Sequence, residues 1–592
     1  MTKEAFQAEQ LMHNMVKAAD TYQKVLAELV ARQATDDMPQ VMLGPEGTFN
    51  AFSEAMTAWL SNPEKLVKYQ MNYYENYIRL MEHSLKRFMG EKEAPLYQPS
   101  QKDSRFRDQA WEESAMFDFI KQSYLLSADW LQRLVKDTDG VDQKAVKRLD
   151  FFTRQLIDAL SPSNFLYTNP VALKETLRTN GENLVQGLEN FLKDLQRNQG
   201  QAMTVRSANE TAFAVGKNLA VTPGKVIFQN DLMQLIQYTP LHATNYRRPV
   251  LITPAWINKY YIVDLQQKNS FVYWLLEQGY SVFVISWVNP GQEFSHKQFD
   301  DYMLEGPLAA LDAIERATGE KEITAIGYCL GGTLLSCALA YMKTKKDTRI
   351  KAATFLTTMV DFSDCGEISV FVDEEHIEGF EHRMSTHGYL DGNDMALTFN
   401  MLRANDMIWS FVVNNYLLGK EPFPFDLLYW NSDATRLPAA MHSFYLRKMY
   451  YENLLSKPGG ITLNGVKIDL QKIDIPCYML STKEDHIAPW QATFAGTQIF
   501  KGPIRFVLSE SGHVAGVINH PSKKKYGHWT NESGAKTPEA WLKKATMQDT
   551  SWWLNWNQWN ATHSGEKVPA YQPGAGKLPV IEDAPGSYVK RK

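Results

Sequence analysis

The sequence predicts an α/β protein: a doubly wound sheet over residues 201–592, preceded by a mainly helical domain over residues 1–200. Two observations support this division. Up to about residue 200 apolar side chains recur at helical spacing, whereas beyond it short apolar runs alternate with helical stretches. A chain of 592 residues also exceeds one average domain, so two domains are expected.

The helical domain is predicted from two long apolar stripes. One stripe covers Leu11–Val30, and the other covers Val67–Phe88 and ends near Gly90. A polar linker follows at residues 90–107. Further helices are expected at Trp111–Leu134, at Gln143–Leu160 and from Pro170 after the capping residue Asn169, with a break at Gly181 and an end at Gly200. We expect the stripes to pack against the second domain or against a second subunit.

The sheet is predicted from six short, mostly apolar runs, a pattern typical of strands that helices cover on both faces. These runs are Pro249–Pro254, Ser281–Ser286, Glu322–Tyr328, Ala352–Thr357, Ile475–Ser481 and Arg505–Leu508. Between about residues 360 and 470 the alternation stops, which predicts a cap inserted over the site. Aromatic residues of this insertion, such as Trp430, either line a channel for an apolar chain or pack inside the cap. Trp552–Trp559 is predicted to form a closing aromatic helix.

A glycine-bracketed cysteine lies between a predicted strand and a predicted helix. The segment reads Gly327-Tyr328-Cys329-Leu330-Gly331, and strand, sharp turn and helix in this order predict a nucleophile elbow with Cys in place of Ser. The glycines avoid steric collisions across the strained turn. The helix N-terminus favours a thiolate, and the Leu330 N–H would point at a developing oxyanion. A buried structural Cys in a glycine-rich turn is the alternative.

An elbow nucleophile needs an acid and a His later in the chain, and both have candidates. Asp485 and His513 each follow directly on their own predicted strand. The order nucleophile, Asp, His is that of α/β-hydrolases, whose sites assemble at the C-terminal ends of the strands. His486, next to Asp485, is the rival base. We therefore predict an α/β-hydrolase fold in which Cys329, Asp485 and His513 are catalytic.

A second oxyanion donor is expected in the loop after the first predicted strand, Pro254–Asn258. We predict the backbone N–H of Trp256 or Ile257 and take Ile257 as the candidate, with a plain tight turn as the alternative. The expected supporting residues of the site are His486, Trp430 and Tyr328.

Composition and motifs argue against several other classes. A net charge of −5 gives no general attraction to nucleic acid, and no phosphate loop or dinucleotide fingerprint occurs. The four Cys residues lack Cys-x-x-Cys spacing, so neither a zinc site nor a disulfide framework is expected. His376, His382 and His387 do not share a helix face and are predicted to be solvated rather than metal ligands. We expect no cofactor and no metal.

The first residues, Met1–Phe6, lack a basic region followed by an apolar run, and no apolar stretch reaches about 18 residues. We therefore expect neither a standard secretion signal nor a membrane span, and a reducing cytoplasmic environment.

Five segments of the chain form a set that is specific to one family. They are Ile257–Tyr261, Ser286–Pro290, Gly327–Thr333, Tyr429–Asp433 and Ser511–His513. As a set they resemble class I polyhydroxyalkanoate synthases, and the resemblance runs over nearly the whole chain.

The resemblance implies an acyltransferase that polymerises (R)-3-hydroxyacyl-coenzyme A, with Asp485 either orienting His513 or acting directly on the hydroxyl. It also implies short-chain 3-hydroxybutyryl monomers, a homodimer, and cytoplasmic residence at polyester granules. The N-terminal stripes would then contact the growing polyester, the granule surface or a granule-associated protein, as an alternative to domain or subunit packing. Lys523–Lys525 either meets the phosphates of coenzyme A or forms a solvated basic turn.

The chemistry of sulfur agrees with this expectation. A Cys acyl-enzyme is a thioester and stays activated toward an alcohol, whereas the oxyester of Ser has lost that activation. With water as acceptor, the same triad would make a thioesterase or an intracellular polyester depolymerase. A non-catalytic granule-surface protein is a further alternative, which the intact elbow with a matched Asp and His disfavours.

Overall fold

The computed structural model describes residues 7–33, 45–197 and 205–592, so the predictions made for Met1–Phe6 and Gly200 lie outside the described residues. The chain divides into two compact units. One contains the described residues up to Asn209 together with Leu397–Phe423, and the other contains Glu210–Ala396 and Pro424–Lys592. Leu397–Phe423 belongs to the stretch that the sequence analysis assigned to the cap, but it folds with the helical unit.

The helical unit begins with long amphipathic helices where the apolar stripes predicted them. Its helices before Asn209 are α1 (Ala8–Gln33), α2 (Pro45–Ser61), α3 (Pro63–Phe88), α4 (Ala110–Glu113), α5 (Ala115–Lys136), α6 (Gln143–Ala159), α7 (Pro170–Arg178) and α8 (Glu182–Arg197). Asn169 caps α7 as predicted, because its side-chain oxygen accepts hydrogen bonds from the N–H groups of Val171 and Ala172.

Leu397–Phe423 packs on α8 within this unit. The chain approaches α8 so closely that a Cβ on Gly187 would lie 1.8 Å from the Tyr416 carbonyl oxygen. Asn183 also donates a hydrogen bond to the Leu417 carbonyl at 2.7 Å. Such contacts between positions far apart in sequence explain why this segment joins the helical unit.

The apolar stripe of α3 is exposed along its whole length. Its members are Val67, Met71, Tyr74, Ile78, Met81, Leu85 and Phe88, with exposed fractions between 47% and 61%. Their spacing keeps them on one face of the helix. What this face contacts stays a prediction.

The second unit is built on one sheet of eleven strands. In chain order they are β1 (Gly224–Gln229), β2 (Met233–Tyr238), β3 (Val250–Thr253), β4 (Val282–Trp287), β5 (Ile323–Tyr328), β6 (Ile350–Leu356), β7 (Cys477–Thr482), β8 (Ile504–Ser509), β9 (His528–Thr530), β10 (Thr546–Gln548) and β11 (Glu582–Asp583). Their order across the sheet is β10-β9-β8-β7-β6-β5-β3-β4-β2-β1-β11. The central strands β3 to β8 are parallel and are the six predicted from apolar runs, while the flanking strands are antiparallel.

Helices cover this sheet and fill the insertion between β6 and β7. Beyond Asn209, the α-helices of the described residues are α9 (Phe271–Glu277), α10 (Phe299–Met303), α11 (Ala309–Thr318), α12 (Leu330–Thr344), α13 (Glu374–His387), α14 (Gly392–Leu402), α15 (Asp426–Ser432), α16 (Ala439–Phe444), α17 (Trp490–Phe494), α18 (Gly496–Ile499), α19 (Pro538–Lys543) and α20 (Trp552–Ala561). A π-helical turn, Tyr445–Tyr451, continues α16.

The closing aromatic helix forms as predicted, as α20, and it packs in the core. Trp552, Trp553 and Trp556 are fully buried, and the indoles of Trp552 and Trp553 both donate to the Val517 carbonyl, at 3.0 and 2.9 Å. The Trp556 indole donates to the Thr354 hydroxyl on β6 at 2.9 Å. The helix thereby joins the sheet to the loop that follows β8.

Candidate active site

Cys329 lies at the turn between β5 and α12, where the elbow motif predicts it. Its backbone has φ 52° and ψ −119°, a left-handed conformation that strains a residue carrying a Cβ. The Cys329 N–H donates to the Leu356 carbonyl at 2.8 Å, which ties the turn to β6. The half-buried thiol therefore sits at the start of α12, where the helix dipole favours negative charge.

At two positions of the elbow, neighbouring backbone atoms lie so close that only glycine fits. A Cβ on Gly327 would lie 2.4 Å from the Gly332 Cα, and a Cβ on Gly331 would lie 2.0 Å from the Thr253 carbonyl oxygen. Because the atoms they meet are backbone atoms, no side-chain rotation relieves the overlap. The predicted collision across the turn is confirmed for Gly327, whereas a Cβ on Gly331 would meet the end of β3 instead.

We expect Gly331→Ala to destabilise the protein by about 1–3 kcal/mol, as overpacking does, and to displace the elbow. The measurement is the midpoint of thermal unfolding, together with turnover. Gly379→Ala in α13 is the matched control, because a Cβ there meets nothing within 4 Å. Equal midpoints for the two variants would contradict the expectation.

Asp485 and His513 form an ion pair at the carboxyl ends of β7 and β8. His513 Nδ1 lies 2.7 Å from Asp485 Oδ2, and the Asp485 side chain is fully buried. The N–H groups of Ile487 and Ala488 each donate to Asp485 Oδ1 at 2.9 Å. These bonds fix the carboxylate, and the carboxylate in turn orients the imidazole.

The surroundings of His513 favour its protonated form. Burial lowers the pKa of His513, but the charges of Asp485 and Cys329 and side-chain hydrogen bonds to both raise it, and the resulting pKa lies well above its ordinary value. The same contacts bring the three predicted side chains into one cluster. A neutral imidazole in these surroundings takes up a proton readily, so His513 is placed to accept the thiol proton and to hold it as an imidazolium.

We expect Asp485→Asn to remove a pH-dependent part of the stability. The raised pKa means that His513 contributes stability that is fully present below about pH 6.5 and is lost as the pH rises through the folded-state pKa. The variant lacks the Asp485 charge, one of the two that raise this pKa, so the loss of stability should be smaller. The measurement is the urea midpoint of both proteins from about pH 6 to about pH 10. Parallel curves would argue against the ion pair, and a His513→Gln background should abolish the difference.

The three residues predicted to support the site lie in surroundings that differ from one another. The Tyr328 hydroxyl donates to the His513 carbonyl at 3.2 Å, and the two rings stack with centroids 5.9 Å apart. Trp430 is buried in the hydrophobic core, and its indole donates to the Lys259 carbonyl at 2.7 Å. His486 is half-buried beside Asp485, but the imidazole 2.7 Å from that carboxylate is that of His513.

The two predicted oxyanion donors lie on segments that touch each other. Leu330 opens α12, and a Cβ on Gly331 would lie 2.7 Å from the Pro254 carbonyl oxygen, so the loop after β3 is pressed against the helix start. Within the described part of the chain, neither the Leu330 nor the Ile257 N–H donates to another backbone group. The oxyanion role of both amides stays a prediction.

Sequence reasoning missed two tyrosines of the insertion that lie near Cys329. Tyr445 and Tyr450 have ring centroids 5.3 Å apart, and Tyr445 is 6.1 Å from the Trp256 ring. Burial raises the pKa of both hydroxyls, and the nearby charge of Cys329 contributes. Nothing in the sequence distinguishes these two from the other aromatic residues of the insertion.

Among the described residues, no group of three or more His, Cys, Asp or Glu side chains is placed to hold a metal ion. The prediction of a solvated His376 was wrong: it is buried at the start of α13, and its ring pairs with Asp373 at 2.9 Å. Asp373 is the N-cap of that helix, which explains the contact. Lys523–Lys525 is exposed, and its contact with coenzyme A stays a prediction.

A cysteine elbow after the central strand β5, with an Asp and a His after β7 and β8, defines an α/β-hydrolase fold. Comparison with known proteins confirms this fold class, because a model of the alpha/beta hydrolase fold matches residues 248–519. A second family model, described as the N-terminus of poly-beta-hydroxybutyrate polymerase (PhaC), matches residues 102–275.

Relatives match over almost the full length. The poly(3-hydroxyalkanoate) polymerase subunit PhaC of Rhizobium etli is 42% identical over 99% of this chain and 92% of its own. The poly(3-hydroxyalkanoate) polymerase of Methylorubrum extorquens is 48% identical over 90% and 88%, and the PhaC subunit of Cupriavidus necator is 40% identical over 90% and 89%. The chain belongs to the poly(3-hydroxyalkanoate) polymerase family, and the predicted enzyme class, an acyltransferase that makes polyhydroxyalkanoate, is confirmed. No helix in the described ranges has the length and apolar character to cross a bilayer.

Proposed function

We propose that this enzyme polymerises short-chain (R)-3-hydroxyacyl-coenzyme A, 3-hydroxybutyryl-coenzyme A first, through a covalent thioester on Cys329. The observation that carries the proposal is the cluster of a strained Cys329 with an imidazole that a buried carboxylate orients, Asp485 Oδ2 lying 2.7 Å from His513 Nδ1. Family membership supplies the substrate class.

In the first half of the cycle, His513 takes the proton of the Cys329 thiol. The thiolate attacks the thioester carbonyl, and the N–H groups of Leu330 and Ile257 stabilise the oxyanion. The carbon–sulfur bond to coenzyme A breaks as the tetrahedral adduct collapses. Coenzyme A leaves with a proton from the imidazolium, and the acyl group stays on Cys329 as a thioester.

In the second half, the 3-hydroxyl of another 3-hydroxyacyl group attacks the thioester on Cys329. His513 takes the hydroxyl proton, an ester bond forms, and the bond between the acyl carbon and Cys329 breaks. Asp485 stabilises the imidazolium in both halves, or acts on the hydroxyl directly. Each cycle lengthens the ester chain by one unit and releases one coenzyme A.

The remaining parts of the proposal come from the resemblance. The enzyme works as a homodimer in the cytoplasm, at the surface of polyester granules. The exposed stripe of α3 offers an apolar surface for the polymer, for a granule-associated protein or for a second subunit.

The test is incubation of the purified protein with (R)-3-hydroxybutyryl-coenzyme A, with release of coenzyme A and the mass of the acyl product recorded together. We expect release coupled to high-mass polyester. Release with only free 3-hydroxybutyrate would mean that water reaches the acyl-Cys, and a thioesterase or depolymerase would replace the proposal.

A further inference from the structure

A buried hydroxyl of the insertion bonds directly to the loop of the second oxyanion donor. Thr435 Oγ1 donates to the Trp256 carbonyl at 3.0 Å, and Thr435 is 3% exposed. The C=O of Trp256 and the N–H of Ile257 belong to one peptide unit, which is planar and trans. In such a unit the two groups point in opposite directions, so the hydroxyl that holds the carbonyl also sets the direction of the N–H.

The same segment of the insertion holds the residues that follow. Asn258 pairs with Ala434 in an antiparallel bridge, and the Trp430 indole donates to the Lys259 carbonyl at 2.7 Å. Trp430–Thr435 therefore contacts the loop on both sides of the Ile257 amide.

The start of the loop is fixed against the elbow. The Trp287 indole donates to the Pro254 carbonyl at 2.9 Å, and Gly331 lets α12 approach Pro254. With these groups engaged, the Ile257 N–H is left without a backbone acceptor in the described ranges. The loop is thus held at Pro254 and again at Asn258 and Lys259. The Ile257 N–H belongs to the peptide unit whose carbonyl accepts the Thr435 hydrogen bond.

We propose that Thr435 is a positioning residue which, through the Trp256–Ile257 peptide unit, aims the Ile257 N–H at the oxyanion formed on the substrate carbonyl. This inference rests on the proposed function, since it requires Ile257 to donate to that oxyanion. The hydrogen bond also polarises the peptide unit and strengthens its N–H as a donor. The insertion is then part of the support of the oxyanion site.

The test compares Thr435→Val, which keeps the β-branched shape without the hydroxyl, with Thr435→Ser, which keeps the hydroxyl. Loss of a complete oxyanion donor costs about 10²–10³ in kcat, and a misaimed donor costs less. We expect Thr435→Val to lower kcat for coenzyme A release from (R)-3-hydroxybutyryl-coenzyme A about 10-fold, with KM within about 2-fold of wild type. Thr435→Ser should recover most of kcat.

Alkylation of Cys329 by iodoacetamide distinguishes a positioning role of Thr435 from general damage to the site by the substitution. This reaction forms a thioether without an oxyanion, so its rate depends on the thiolate and not on Ile257. We expect the Thr435→Val protein to be alkylated at the wild-type rate while kcat falls. Equal losses of both rates, or an unchanged kcat, would overturn the inference. A wild-type protein that releases no coenzyme A would instead overturn the proposed function, and the inference with it.

Discussion

Cys329→Ala is expected to abolish polymer formation and to lower coenzyme A release by at least about 10⁴-fold, as loss of the nucleophile does in other triad enzymes. The reason is that a thioester needs a thiol, which neither Asp485 nor His513 carries. The measurement is the initial rate of coenzyme A release from (R)-3-hydroxybutyryl-coenzyme A. Residual release above about 1% of wild type would show that Cys329 is not the acyl carrier.

Two further variants distinguish the loss of thiol chemistry from a disturbance of the fold. Cys329→Ser retains a nucleophile but would leave an oxyester, so we expect acylation without chain growth. Cys477→Ser is the matched control, because Cys477 is fully buried and its thiol donates to the Ile475 carbonyl at 3.3 Å, a bond that a hydroxyl can also make. This control should keep most of the activity.

Alkylation should favour Cys329 over Cys337 and Cys477 for a physical reason. Burial raises the pKa of the Cys337 thiol to about 12 and raises that of Cys477 as well. Both therefore stay protonated at neutral pH, whereas Cys329 is partly exposed beside an imidazole. Peptide mapping after one equivalent of iodoacetamide should find the label on Cys329, and loss of turnover should follow the label in proportion.

The central strands could be predicted from the sequence because they are buried on both faces. β3 to β8 read as short continuous apolar runs, and each prediction agrees with its strand to within about two residues at either end. Of the flanking strands that were not predicted, β10 has all its residues exposed and so carries no apolar signal. β2 is buried at all six residues, but Gln234 and Gln237 interrupt its apolar run. A continuous apolar run, and not burial alone, made the central strands predictable.

The three catalytic candidates could be predicted because each follows directly on a strand, in the order known from one fold class. Cys329, Asp485 and His513 each follow a strand, and the fold brings the ends of parallel strands to one edge. Thr435 follows no such rule, because it acts through a carbonyl 179 positions away in the chain. The same limit applies to Leu397–Phe423, whose place in the helical unit depends on contacts with α8 that no local pattern records.

His513→Gln should lower turnover at least about 10³-fold, whereas His486→Gln should retain at least about one tenth of the wild-type rate. Gln keeps part of the hydrogen-bonding capacity of His but cannot accept a proton. The measurement is kcat and kcat/KM for both variants at fixed pH, with the iodoacetamide rate as a second readout of thiolate formation. The reverse ranking would transfer the role of base to His486.

The geometry around Asp485 is the reason for this ranking. Its Oδ1 accepts from the N–H groups of Ile487 and Ala488, so the chain after Asp485 turns around that oxygen. Oδ2 is the oxygen that His513 approaches, at 2.7 Å, and it also accepts from Thr482 at 3.2 Å. A His directly after the acid lies within the turn, whereas His513 reaches the carboxylate from a different strand end and has its other ring nitrogen available for Cys329. A base must meet the acid and the nucleophile at once, and that requirement favours His513.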